Sequence, residues 1–276
     1  MTLSERNVFF KAGIVFCFFI TILALAVSIL TVPVYSAMEE NVRRPAYLFQ
    51  IITGWILKSN YYAVHVSMVL AVLFSLLGMI FIHSFFERTS APEIIYISLF
   101  TISLSFEIIR LILPLHLIYN FSIFYLINAS KLLLFARHFG IFSLFTASVC
   151  AAGLEVQKTR NVILTMIITV FLAVFGIPID NQTWDTSFYM ISGYFFMFNM
   201  IEAAIFFATV ITFFVAAKVR DSKEYVHVGI GVMFALTGRN ILVGTDNWAG
   251  PVMGALLLSF GTWFICSKLH KIHLWL

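Results

Sequence analysis

The chain has 276 residues, of which 61% are hydrophobic, 17% aromatic and 11% charged, with a formal net charge of +4 and a mean hydropathy of +0.99. A soluble domain carries about 25% charged residues and about 45–50% apolar ones, so too little polar surface exists here to clothe a water-soluble globule. That excludes a soluble enzyme, a secreted disulfide scaffold and a disordered chain, and leaves an all-α polytopic membrane bundle. Cys17, Cys150 and Cys266 all fall inside apolar runs and read as small hydrophobes, not as a disulfide or metal framework. The excess of basic residues is a question of membrane topology here, and no nucleic-acid partner is implied.

A bilayer core needs about 20 mostly apolar residues per helix, with a range of about 17–25. Eight segments meet this, at 13–34, 61–83, 93–113, 131–153, 161–179, 188–218, 226–243 and 251–267. The seventh is short and carries Arg239. Neither the alternation nor the turn spacing of a membrane β-barrel is present, so all eight are read as helices. The first has basic residues before it, and Val34-Tyr35-Ser36 before Ala37 resembles a signal cleavage site. Its apolar run exceeds the usual signal core of about 7–15 residues, which favours an uncleaved anchor. After it, Leu48, Ile51, Ile52 and Trp55 repeat at helical spacing, with Arg43 and Arg44 before them and Lys58 behind. This pattern predicts an amphipathic helix lying flat on the outer surface, as a collar or as a lid. The chain thus divides into 1–60, an anchor helix with its extracytoplasmic amphipathic segment, and 61–276, a core of seven helices.

Alternating connections place ten Lys and Arg residues on one side and four on the other: Arg43, Arg44, Lys58 and Lys131. The richer side is cytoplasmic by the positive-inside rule, which places both termini inside. The core then runs from outside at its start to inside at its end. Compact loops and the absence of organelle signals point to a bacterial inner membrane, and loops of about seven residues are too short for an output domain.

Ionisable groups inside a membrane are costly and usually face the bundle interior with partners. Here they are Glu107 and Arg110 in span three, Arg137 and His138 in span four, Glu202 in span six and Arg239 in span seven. Counted from the span ends, Arg110 and Arg239 stand about one turn in, Glu107, Arg137 and His138 about two turns, and Glu202 near the midplane. All six fall in the outer half or at the centre, and the inner half shows no comparable set. Asn199 stacks one turn from Glu202, and His65 enters near the outer end of span two. Three Arg against two Glu leave one positive charge over, so a pocket formed by these groups prefers an anion, which Arg recognises with a fork. The alternative is a set of interhelical pairs that fixes helix register, and Arg239 could also snorkel to headgroups.

Other chemistry is sparse. His270 and His273 sit in a basic boundary segment suited to anionic lipid heads. No carboxylate pair, Ser/His/Asp set, HExxH motif or phosphate-cradling loop is present, and no metal or cofactor is expected. Gly250, Gly254 and Gly261 in the last span read as close helix packing. Asn120, Asn128 and Asn181 begin glycosylation triplets on the outer side, a pattern short enough to arise by chance. The final spans hold no buried Lys for a retinal Schiff base.

Phe106-Glu107-Ile108-Ile109, Lys131-Leu132-Leu133-Leu134-Phe135-Ala136-Arg137, Gly140, and Gly153-Leu154-Glu155 before a basic loop resemble the seven-helix sensory input domains of bacterial signalling proteins, such as those at the N-terminus of membrane histidine kinases. The turn near Gly238 and Asn240, followed by a helix closing in a basic aromatic segment over 270–276, is similar to the end of those domains. The resemblance covers about 61–276. It implies a ligand-sensing bundle with no defined catalytic residues. The first span departs from the family pattern, as does a chain ending at Leu276 without an output module, so signalling is expected to need a separate membrane or cytoplasmic protein.

The leading expectation is therefore a non-enzymatic receptor-like protein binding a small or lipidic anion in its outer half. Arg110, Arg137 and Arg239 hold the anion, Glu107 and Glu202 orient them, and His138 adds pH sensitivity. One alternative is an intramembrane enzyme or transporter component acting on a lipid-linked anion. The other is a structural subunit in which the polar groups only set packing. An enzyme expects a cavity open to lipid, a receptor a closed pocket open to the outside, and a structural subunit an Arg set in which each guanidinium is paired.

Overall fold

The computed structural model describes residues 3–35, 58–89, 91–153, 159–185, 187–188 and 190–274. The amphipathic segment expected at 48–55 lies outside them. Nine α-helices are found among the described residues: α1 (Leu3–Thr31), α2 (Tyr61–Phe86), α3 (Glu93–Ser103), α4 (Ile112–Tyr119), α5 (Ile123–Ala151), α6 (Thr159–Phe175), α7 (Phe195–Val219), α8 (Glu224–Gly244) and α9 (Ala249–Leu274). A 3-10 segment, Leu104–Leu111, joins α3 to α4 into one continuous span, Glu93–Tyr119. Seven helical stretches are long and apolar enough to cross a membrane, and α6, an apolar helix of 17 residues, is shorter. The molecule is a helical bundle suited to a multi-pass membrane protein.

Several boundaries differ from the hydropathy reading. The expected spans are bounded by the length that hydrocarbon requires, whereas the helices continue through apolar flanks, so α5 begins at Ile123 and the third span runs on to Tyr119. Glu107 and Arg110 consequently lie further from the end of their helix than expected, and Arg137 falls at the middle of the 29-residue α5. The expected span at 188–218 is a helix only from Phe195. The segment before it forms an antiparallel ribbon of β1 (Ile179–Trp184) and β2 (Met190–Ser192), with Ile179 opposite Ser192. This ribbon is the exception to an all-helical fold. Its apolar residues extended the hydropathy signal of both neighbouring helices.

Round the bundle the neighbours run α2, the third span, α5, α7, α8, α9 and back to α2, with α1 against α2 and the third span and α6 against α5. α1 buries Arg6, Phe10, Gly13, Cys17, Thr21, Ala24, Ser28 and Thr31. These recur every three or four residues and are mostly small, so one narrow stripe faces the bundle closely while the other faces stay exposed. Arg6 donates to the carbonyls of Phe86 and Thr89, and Asn7 Nδ2 donates to the Glu87 carbonyl at 3.0 Å. A cation thus caps the carbonyl end of α2, where unpaired C=O groups and the helix dipole both favour it. Phe10 and Cys17 of α1 belong to the same apolar core as α2, α5 and α9.

The tightest pair is α8 against α9. A Cβ at Gly254 would stand 2.7 Å from the Leu242 backbone nitrogen, and one at Gly261 would stand 2.7 Å from the Gly231 carbonyl oxygen. Backbones approach this closely only where side chains are missing. The helices accordingly meet at Gly231, Gly238, Gly254 and Gly261, in line with the packing role expected of the last two.

Candidate functional site

The polar residues gather at the end of the bundle that carries the β-ribbon, opposite the basic end where α1 begins. Glu107 and Arg110 sit on the 3-10 segment, where three residues per turn place i and i+3 directly above one another. Arg110 Nη1 lies 3.4 Å from Glu107 Oε2. From α5, Arg137 donates through Nε to Oε1 and through Nη2 to Oε2 of the same carboxylate, both at 2.8 Å. Glu107 is 2% exposed and Arg110 is 1% exposed. Ser103, just before this segment, and Ser105, within it, donate to the carbonyls of Phe100 and Ile102. Beside them, Gly140 leaves the space that lets α5 rest on Ser103.

A second ion pair crosses from α8 to α7. Arg239 Nη1 donates to Glu202 Oε1 and also to Asn240 Oδ1 at 2.8 Å. Its Nη2 donates to the backbone carbonyl of Arg137 at 3.2 Å, joining the two pairs into one network across four helices. Arg110 Nε donates to the Ser187 carbonyl at 2.6 Å, which fastens the loop between the two strands to the third span. Every arginine of the expected set therefore has a carboxylate or carbonyl partner.

Between the ribbon-end halves of α7 and α8 lies a cavity of about 650 Å³, lined by Arg137, Arg239, Glu202, Asn199, Asp185, Ser187, Thr237 and Asn240 with Phe206 and Phe207. Its flanks reach the outer surface of the bundle, where Phe207 is 62% exposed. A smaller chamber of about 60 Å³ adjoins it, sharing Arg137, Asn199 and Glu202 and adding Ser130, His138 and Phe198. His138 is 5% exposed, with Nδ1 2.9 Å from the Leu134 carbonyl oxygen and its ring edge-on to Phe198 at 5.1 Å.

Of the eight residues expected at the site, Arg137, His138, Asn199, Glu202 and Arg239 line these two spaces, and Glu107 holds Arg137 from behind. Arg110 secures the loop and is not in the cavity wall. His65 is elsewhere. Its Nδ1 pairs with the Tyr35 hydroxyl at 2.8 Å, inside an aromatic group in which Phe188 stacks between Tyr35 and Tyr61, 5.4 Å from each. Burial pushes the Tyr35 hydroxyl up to about 12.

Three features escaped the sequence. Asp185 stands in the cavity wall because the ribbon folds back over the bundle. Counting it, three carboxylates face three guanidinium groups, and the surplus positive charge expected from the helices disappears. Phe188 holds a left-handed φ of 63° where its ring enters the aromatic stack. The basic end also has a buried acid: Glu93 is 1% exposed, accepts from the Tyr225 hydroxyl at 3.4 Å and lies 3.6 Å from His273 Nε2. Hydropathy read Glu93 as a span boundary, whereas packing of α8 and α9 over it makes it interior. No protein-family model matches the chain, and no curated protein matches it.

Proposed function

We propose that this chain is a receptor-like membrane protein that binds a ligand bearing an anionic group in the outer half of its bundle. The observation that carries the reading is the 650 Å³ cavity, whose lining brings Arg137, Arg239, Asn199 and Asn240 together from three helices, beside the carboxylates Glu202 and Asp185. A cavity of this size lies within the range of about 300–1,000 Å³ that takes small ligands, and two guanidinium groups suit a phosphate or carboxylate. In this reading the ribbon end faces outwards, because the opposite end carries Arg6, Arg88, Lys218, Arg220, Lys223, Lys268 and Lys271. α6 then counts as the eighth span, at the short limit for crossing hydrocarbon, and both ends of the chain face the cytoplasm of a bacterial inner membrane. The connection at 220–223 is too short to hold an output module. The likeness of 61–276 to seven-helix sensory input domains supports the same assignment.

The opening of the cavity on the flank of the bundle beside Phe207 also suits an intramembrane enzyme or transporter component acting on a lipid-linked anion, and a structural subunit is favoured by another observation: each arginine already has a partner. Mass spectrometry of lipids and metabolites that co-purify with the chain separates ligand binding from the structural role, run beside Arg137→Ala and Arg239→Ala variants. A receptor releases a bound phosphate- or carboxylate-bearing compound that both variants lack. An empty wild type whose variants only melt earlier identifies a structural role.

A further inference from the structure

His138 supplies an acceptor that the bundle leaves unanswered. The carbonyl of Leu134 can only accept, so the Nδ1 that approaches it at 2.9 Å carries a proton, and in the neutral ring Nε2 carries none. Nε2 is then a bare acceptor. It is buried and has no hydrogen-bond partner among the described residues, a condition that favours an incoming donor. Beside it in the chamber stand the Glu202 carboxylate and the Asn199 side chain, while Arg137 borders both the chamber and the larger cavity. Arg137, Asn199 and Glu202 border both spaces, Arg239 and Asp185 the larger one and His138 the chamber, so guanidinium groups for an anion and acceptors for a donor lie within one site.

We propose that the ligand is a zwitterionic amphiphile of the phosphoethanolamine type. Its phosphate lies in the main cavity against Arg137 and Arg239, and its primary ammonium enters the chamber, donating to His138 Nε2 and Glu202. The chamber, at about 60 Å³, holds roughly two water-sized groups. That suits an ammonium and its methylene better than a trimethylammonium, which also lacks N–H donors. The acyl chains leave between α7 and α8 past the exposed Phe207. This assignment rests on the reading of the site as a binding site and names its ligand class.

The test is native mass spectrometry of the full chain in detergent, titrated separately with dioleoyl phosphatidylethanolamine, phosphatidylglycerol and phosphatidylcholine, and with free phosphoethanolamine. Phosphatidylethanolamine should bind about tenfold more tightly than either other lipid, the worth of one charge-assisted hydrogen bond. His138→Phe should erase that preference, and His138→Gln, which keeps an acceptor, should restore part of it. Free phosphoethanolamine binding as tightly as the lipid upholds the headgroup and assigns it a water-soluble source. Equal binding of phosphatidylcholine overturns the ammonium assignment, as does a preference unmoved by His138→Phe. Tighter binding of phosphatidylglycerol overturns the zwitterion but leaves the anion site standing. Binding of none of the four overturns both, the chamber then holding water alone.

Discussion

Arg137 sets its guanidinium fork on both oxygens of Glu107, at 2.8 Å each, joining α5 to the 3-10 segment of the third span. Removing one partner of a buried pair costs about 3–5 kcal/mol, because the other charge is left without compensation. Glu107→Gln, which strands two arginines, should lower stability by that order. The Glu107→Leu, Arg137→Met double variant should be less destabilised than the sum of its single variants. Thermal unfolding of the purified protein in one detergent gives all of these values, and strict additivity would refute the coupling.

The α8–α9 contact should tolerate no added methyl group. A Cβ at Gly238 meets the Leu258 nitrogen and stands 2.9 Å from the Gly254 carbonyl oxygen, and backbone cannot rotate away. Gly238→Ala is expected to cost at least the about 1–3 kcal/mol of ordinary overpacking. Gly244, whose added Cβ meets nothing within 4 Å, is the matched control. Equal melting temperatures for the two variants would show that the helices can separate freely.

Arg6 ties α1 to the end of α2, and hydrogen bonds to a charged group contribute about 1.5–3 kcal/mol each. Arg6→Gln should speed amide hydrogen exchange in the turn between Phe86 and Glu93 more than at the ribbon end. A uniform change along the chain would mean that α1 is not held there.

Tyr35 supplies a pH signature outside the spans. Its hydroxyl, raised by burial to about 12, keeps its proton more firmly in the folded state than in the unfolded one, where the value is about 10. Its contribution to stability is therefore level below pH 10 and is lost as pH rises from 10 to 12. Melting temperature against pH should fall over that window, and Tyr35→Phe should flatten the fall while removing the bond to His65.

The sequence by itself determined the membrane bundle, because hydrocarbon demands long apolar helices and the chain has too few polar residues for any other surface. It also identified the residues of the polar network, since Glu107, Arg137, Glu202 and Arg239 stand out against an apolar background wherever they point. Periodicity could not reveal that Glu107 serves two arginines at once, nor that Arg239 reaches the Arg137 carbonyl. Those contacts depend on how deeply each helix sits and how it is rotated against its neighbour. The ribbon was hidden because its apolar residues prolonged the signal of α6 and α7. Only tertiary structure brought Asp185 over the bundle and balanced the charge of the site. His65 went to Tyr35 and Glu93 to the interior for the same reason: burial of a polar group is decided by which helices pack over it, not by its distance from the end of an apolar run.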